Sequence, residues 1–128
     1  MKYYFAKMTA YTFEEAVERV TEALQKEGFG VLTNIDIQAT LKNKLDVDFK
    51  KYRILGACHP SSAYKALQTE NKIGTMLPCN VIVQELAPGE IEIAAVNPIA
   101  SMMAIQNEQL AEIASEITQK LERVIERL

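Results

Sequence analysis

The chain has 128 residues, 48% of them hydrophobic and 24% charged, and a formal net charge of −3 at pH 7. This length and composition predict one ordinary globular domain over residues 1–128 and fit disordered, collagen-like and coiled-coil classes poorly. The slight negative charge opposes binding to nucleic acid. The chain shows neither a secretion signal nor an apolar window long enough to span a membrane, so we expect a cytoplasmic protein without a membrane partner.

The N-terminal part begins with a strand signal and continues with a strong helix signal. Residues 2–8 are rich in aromatic side chains, which favours a first strand. Thr12 and Glu15 have the spacing of a capping box, and apolar residues at helical spacing follow them. Gly28 stands where a left-handed helix stop is needed. We therefore predict a helix that begins after Thr12 and ends near Gly28.

The middle of the chain alternates short apolar segments with turn residues. The predicted elements are, in chain order, a strand at 29–35, a short helix at 38–45, a strand at 52–58, a helix that Pro60 opens and that reaches Leu67, and strands at 79–86 and 91–96. Pro88 and Gly89 separate the last two strands, which predicts a hairpin.

Residues 107–128 predict one long amphipathic helix, because its apolar side chains recur on one side and its charged ones on the other. A heptad pattern would place Lys120 on the apolar seam, so we favour a helix packed on a sheet over a coiled coil. The full order is β-α-β-β-β-β-α with short helices inserted. This order predicts an α+β fold of two layers, an antiparallel sheet of about five strands with helices on one face.

Two motifs, at residues 56–60 (Gly-Ala-Cys-His-Pro) and 76–80 (Met-Leu-Pro-Cys-Asn), carry a resemblance to a known family. With their spacing, and with Ile73 and Gly74 before the second motif, the chain resembles the bacterial and archaeal family called domain of unknown function 302 over nearly its whole length. The resemblance implies a two-layer fold of β-α-β(4)-α order, often as a homodimer, and no established activity. It also implies asparagine where this chain has His59.

Cys58 and Cys79 are the two cysteines of the chain, and each lies at the end of a predicted strand. If strands three and four are antiparallel, the end of one meets the start of the other and the two sulfurs come within reach. In a parallel arrangement they lie roughly 20 Å apart, at about 3.3 Å per residue. Cys58 also precedes a helix start, where thiolates are stabilised. Plain burial of both cysteines as small apolar residues is the alternative.

His59, the one histidine, and Asn80 adjoin these cysteines. Cys58, His59 and Cys79 would make a Cys₂His set for zinc with a fourth position open, provided that the chain bends at Pro60. His59 has a simpler alternative as the N-cap of the following helix. Asn80 either orients a ligand or satisfies a strand end. Redox chemistry is less favoured, because no Cys-x-x-Cys pair is present.

Our leading hypothesis is a homodimeric module that binds a small ligand or a metal at Cys58, His59, Cys79 and Asn80. One alternative is a thiol-dependent enzyme that uses Cys58. Another is a structural or interaction protein whose Met102–Met103 region docks a partner, because methionines line adaptable binding surfaces; that apolar connection could equally be a short helix closing the core. Hydrolase motifs are missing from the sequence.

Overall fold

A five-stranded antiparallel sheet organises the chain, and the computed structural model describes all of residues 1–128. The elements are, in chain order, β1 (Tyr4–Thr9), α1 (Phe13–Lys26), β2 (Gly30–Asp36), α2 (Ile37–Leu45), β3 (Tyr52–Cys58), α3 (Pro60–Thr69), a 3₁₀ turn (Ile73–Met76), β4 (Cys79–Ala87), β5 (Glu90–Val96), α4 (Pro98–Ser101) and α5 (Glu108–Glu126). The predicted elements are all present, with ends that shift by one or two residues. The 3₁₀ turn was not predicted.

The strands lie in the order β1-β5-β4-β3-β2, and each neighbouring pair is antiparallel. The predicted hairpin is the β4–β5 pair, and Gly89 in its turn has a φ of 80°. This arrangement confirms the predicted α+β fold. It leaves β1 and β2 as the two edges of the sheet.

Helix α1 begins and ends as its sequence predicts. Thr12 accepts a hydrogen bond from the backbone N–H of Glu15 at 3.2 Å, and the Glu15 carboxylate accepts one from the N–H of Thr12 at 3.2 Å. Gly28 follows the helix with a φ of 88°, a conformation that residues with a Cβ rarely adopt. The capping box and the glycine together fix the length of the helix.

Helices α1 and α5 bury their apolar sides against one face of the sheet, which we call the inner face. The fully buried core side chains there include Val20, Leu24, Leu55, Val81, Val83, Ile93, Leu121 and Val124. Glu27, which follows the last residue of α1, pairs with Arg123 of α5 at 3.1 Å and with Arg127, which follows the last residue of α5, at 2.8 Å. We call the opposite side, which α1 and α5 do not cover, the outer face. No helix of the structure combines the length and apolar character needed to cross a membrane.

Candidate functional site

The two cysteine motifs meet at one end of the sheet. Strands β3 and β4 are antiparallel, and Ala57 lies opposite Cys79 in their register. The last residue of β3, Cys58, is therefore next to the start of β4. The predicted proximity of the two motifs required β3 and β4 to be antiparallel, and they are.

A cavity of about 250 Å³ lies at this end of the sheet, between the ends of the strands and helices α3 and α5. Its walls are largely apolar, because 14 of the 18 residues that line it are hydrophobic. The apolar lining consists mainly of Phe29, Ala57, Ala63, Ala66, Leu77, Pro98, Met102, Leu110, Ile113, Ala114 and Ile117. Cys58, His59, Ser62 and Cys79 also line the cavity. Three of the four predicted site residues thus share one cavity.

Cys79 is a buried thiol in the cavity wall, with 9% of its surface exposed. Burial raises the pKa of this thiol from 9.0 to about 11, and the neighbouring Cys58 adds to the effect. The raised pKa keeps Cys79 protonated at neutral pH. A neutral thiol is a weak hydrogen-bond donor and a poor nucleophile, so Cys79 is suited to packing and weak polar contact.

Cys58 is half-buried and lines the cavity from the last position of β3. Helix α3 begins two residues later at Pro60, so the predicted position of Cys58 before a helix start is correct. Neither cysteine is in a disulfide bond. A thiol-dependent reaction at Cys58 stays a prediction.

His59 occupies the N-cap position of α3, but its side chain forms no capping hydrogen bond. Its ring instead packs edge-on against Phe29, with the ring centroids 5.3 Å apart, and it covers Gly28. The Nδ1 atom is buried without a hydrogen-bond partner. Burial lowers the pKa of His59, and the positive charge of Lys120 lowers it further. The neutral imidazole is therefore the favoured form.

Asn80 lies apart from the other three predicted site residues. It is exposed and lines a different depression, on the outer face, together with Tyr52 and Ile82. The cause is the alternation of side chains along a strand, which directs Asn80 away from the face that its neighbour Cys79 occupies. Any contribution of Asn80 to binding would have to be made on the outer face.

The predicted zinc set has little support from the donor groups themselves. No group of three His, Cys, Asp or Glu side chains is arranged to hold a metal ion. Zinc also requires thiolates, whereas burial raises the pKa of Cys79 and favours the protonated thiol. Zinc binding at Cys58, His59 and Cys79 stays a prediction, which the metal content of the purified protein would decide.

Ser62 is a polar residue of the cavity that was not among the predicted site residues. It is buried in the first turn of α3, with 6% of its surface exposed, and lines the cavity. Helical spacing could have indicated that Ser62 is buried, because Ser62 and Ala66 are four residues apart and therefore lie on the same, buried side of α3. A polar residue on that side was a candidate for a polar contact in the cavity.

The mouth of the cavity is marked by two leucines that line it and remain exposed. Leu32 is 67% exposed and Leu67 is 43% exposed. Leu32 is the unpaired residue at a break in the register of β2 with β3, where Val31 faces Ala57 and Thr33 faces Gly56. Such a bulge redirects a side chain relative to a regular strand.

Comparison with known proteins identifies the family. The family model described as "Domain of unknown function DUF302" matches residues 5–128. The chain is similar to a solved structure described as the crystal structure of an uncharacterized conserved protein DUF302 from Bacillus stearothermophilus, with a TM-score of 0.91 and 28% sequence identity over 99% of this chain and 98% of that one. No curated protein matches the chain. The chain, with its two motifs at the end of the sheet, is therefore a member of the DUF302 family.

Proposed function

We propose that this protein is a binding module that holds a small, mainly apolar molecule in the cavity between α3, α5 and the end of the sheet. The observation that carries the proposal is the cavity itself, about 250 Å³ in volume and walled largely by hydrophobic residues. A largely apolar pocket with a few polar groups is the usual form of a small-molecule site. The polar groups here are His59, Ser62 and the two thiols.

The electrostatics of the cavity favour binding over acid–base or nucleophilic catalysis. The Cys79 thiol is held protonated by its raised pKa, and the pKa of His59 is lowered. The lining includes no Asp, Glu, Lys or Arg. Apart from His59 and the two thiols, the lining therefore offers no ionisable group for acid–base work, and we propose that the cavity holds a ligand rather than transforms it.

The experiment is a titration of the protein with naphthalene, followed by NMR of methyl groups. We expect shifts of the methyl signals of Leu110, Ile113 and Ile117, which line the cavity. Ala114→Leu should abolish these shifts, because Ala114 is buried in the cavity wall. Ala111→Leu is the matched control, because Ala111 is exposed one turn earlier on α5.

Two results of this titration would overturn the proposal. One is the absence of any methyl shift in the unmodified protein at the solubility limit of naphthalene. The other is a folded Ala114→Leu variant that shows the same shifts as the unmodified protein. The assignment of the shifted methyl groups in the unmodified protein locates the site even if Ala114→Leu does not fold.

A thiol-dependent reaction at Cys58 is the second candidate, and one observation favours it over the same reaction at Cys79. Cys58 is half-buried at the cavity, whereas Cys79 is buried with its pKa raised. Iodoacetamide should therefore modify Cys58 first, as measured by mass spectrometry of peptides. A rate for Cys58 no higher than that of a free cysteine at pH 7 would remove this candidate.

We further propose that two copies of the chain associate through the outer face of the sheet. An apolar row crosses all five strands there: Ile35 pairs with Ile54, Ile54 with Ile82, Ile82 with Ala94, and Ala94 with Ala6. Five strands about 4.8 Å apart and six residues of about 3.3 Å give a face of roughly 24 by 20 Å. Two such faces bury on the order of 1,000 Å², about the minimum for a specific interface.

A second copy is the occupant that this geometry favours, because a two-fold contact requires only that the face be complementary to itself. The test is the molar mass in solution, measured by light scattering for Ile82→Lys and for the control Leu45→Lys. Leu45 is 65% exposed at the end of α2. We expect Ile82→Lys to give monomers and Leu45→Lys to give dimers. A monomeric unmodified protein at 100-micromolar concentration would overturn the proposal.

A further inference from the structure

The polar groups in and around the cavity define the chemistry of its ligand more narrowly than its apolar walls do. The chain buries three uncharged polar side chains of the hydroxyl and amide type, Ser62, Asn97 and Thr118. Two of them satisfy each other, because the Thr118 hydroxyl donates to the Asn97 side-chain oxygen at 3.5 Å. The Asn97 amide nitrogen also donates to the carbonyl of Lys2 at 3.1 Å. These two residues need no further partner.

Ser62 differs from them in having no hydrogen bond within the protein. Other helical hydroxyls donate to a carbonyl one turn earlier, as Thr21 of α1 does to Val17 at 2.7 Å and Thr69 at the end of α3 does to Lys65 at 2.8 Å. The Ser62 hydroxyl makes no such bond, and Ser62 lines the cavity. A ligand group that reaches this hydroxyl therefore gains a hydrogen bond that no group of the protein already takes, since a serine hydroxyl both donates and accepts.

The cavity disfavours any charged part of a ligand. Its lining includes no Asp, Glu, Lys or Arg, and Cys79 is neutral at pH 7. An unpaired charge moved into such surroundings loses its hydration without compensation. A carboxylate or an ammonium group on the buried part of the ligand is therefore unfavourable.

The volume limits the size of the buried part. An engineered apolar cavity of about 150 Å³ holds one benzene molecule. The cavity here, about 250 Å³, is large enough for two fused six-membered rings. The ligand therefore has about ten carbon atoms within the walls.

We propose that the ligand is an uncharged, mainly hydrocarbon molecule of about ten carbon atoms that carries one hydroxyl group, and that this hydroxyl pairs with the hydroxyl of Ser62. The inference rests on the proposed function of the cavity and names the class of molecule that it takes. A hydroxyl suits this position because a serine hydroxyl both donates and accepts a hydrogen bond, so the two groups pair in either sense.

The test compares three probes of the same ring size: naphthalene, 2-naphthol and 2-naphthoate. Their dissociation constants are measured at pH 7 by the methyl shifts described above, for the unmodified protein, Ser62→Ala and Ser61→Ala. Ser61 is the matched control, because it is exposed beside Ser62 in the same helical turn. The ratio of the naphthol and naphthalene constants isolates the contribution of the hydroxyl from that of the rings.

We expect 2-naphthol to bind the unmodified protein and 2-naphthoate to bind at least tenfold more weakly. Ser62→Ala should weaken 2-naphthol about tenfold relative to naphthalene, as expected for one hydrogen bond. Ser61→Ala should leave the ratio unchanged. Equal ratios in Ser62→Ala and the unmodified protein, or tight binding of 2-naphthoate, would overturn this inference while the cavity remains a binding site. Binding of none of the three probes would overturn the proposed function as well.

Discussion

Cys79 lies directly opposite Ala57 in the antiparallel pairing of β3 with β4, and both side chains belong to the core on the inner face. This one pairing places the second motif beside the end of the first. It also buries the Cys79 thiol, and this burial raises its pKa to about 11. The position in the register therefore determines both where the thiol lies and how it ionises.

Stability at alkaline pH should depend on Cys79. Its pKa in the folded state is about 11 against an ordinary 9.0, so the unfolded chain loses the proton first. Ionisation of this thiol therefore leaves the free energy of unfolding unchanged below pH 9. As the pH rises towards 11 it lowers that free energy, by about 2 kcal/mol at pH 10.5. Urea unfolding across this range should show a flatter pH dependence for Cys79→Ala. The control Cys58→Ala should keep the loss, and equal slopes for Cys79→Ala and the unmodified protein would contradict the burial argument.

Stability at acid pH should depend on His59. Its pKa is lowered by burial and by Lys120 and Lys65, while Glu116 opposes them. The unfolded state therefore takes up a proton near pH 6.5, whereas the folded state takes up its proton only at a lower pH, and stability is lost as the pH falls below 6.5. His59→Asn should reduce the fall in melting temperature between pH 7.5 and 5.

Lys120→Gln should have a smaller effect in the same direction, because it removes one of the charges that lower the pKa of His59. An unchanged acid profile in His59→Asn would show that other groups control the acid transition. The nitrogen chemical shifts of the imidazole, followed against pH, give the ionisation of His59 directly and do not depend on unfolding.

Gly56 should not tolerate a side chain. A Cβ added at Gly56 would overlap the Thr33 hydroxyl and lie 2.7 Å from Cγ of Pro78. Overpacking of this kind costs about 1–3 kcal/mol, so Gly56→Ala should lower the free energy of unfolding by that amount. Gly30→Ala is the control, because a Cβ there meets nothing within 4 Å. Equal stability of the two variants in urea titrations would show that Thr33 and Pro78 move aside without cost.

Leu32 should control access to the cavity. It is exposed, lines the cavity and is the unpaired residue of the β2 bulge. Leu32→Ala should raise the association and dissociation rates of naphthalene several-fold and change its affinity less, as measured by NMR exchange. Leu86→Ala is the control, because Leu86 is a 47% exposed leucine at the register shift of β4 and does not line the cavity. Similar rates in both variants would place the access route elsewhere.

The local elements were predictable because their signals are local. The capping box of Thr12 and Glu15, Gly28 and the hairpin at Gly89 each depend on a few adjacent residues, and each forms as predicted. The pairing of β1 with β5 was not predicted, because it joins residues such as Tyr4 and Val96 that are remote in sequence. Local patterns carry no information about such a partner.

The candidate site was predictable in part. The proximity of Cys58 and Cys79 followed from one choice between antiparallel and parallel strands. The position of Asn80 on the other face was available from strand alternation, which separates it from Cys79. The cavity was not predictable, because its walls come from α3, α4, α5 and three strand ends, and no single segment shows their packing.

The bulge at Leu32 also has a consequence for how molecules of this protein meet one another. Strand β2 is an edge of the sheet, and a regular edge offers a row of free backbone groups to a strand from another molecule. The interrupted register at Leu32 breaks that row where β2 would otherwise be straight. We therefore expect this edge to be a poor template for a strand from another copy, so that the irregularity next to the cavity also opposes edge-to-edge pairing.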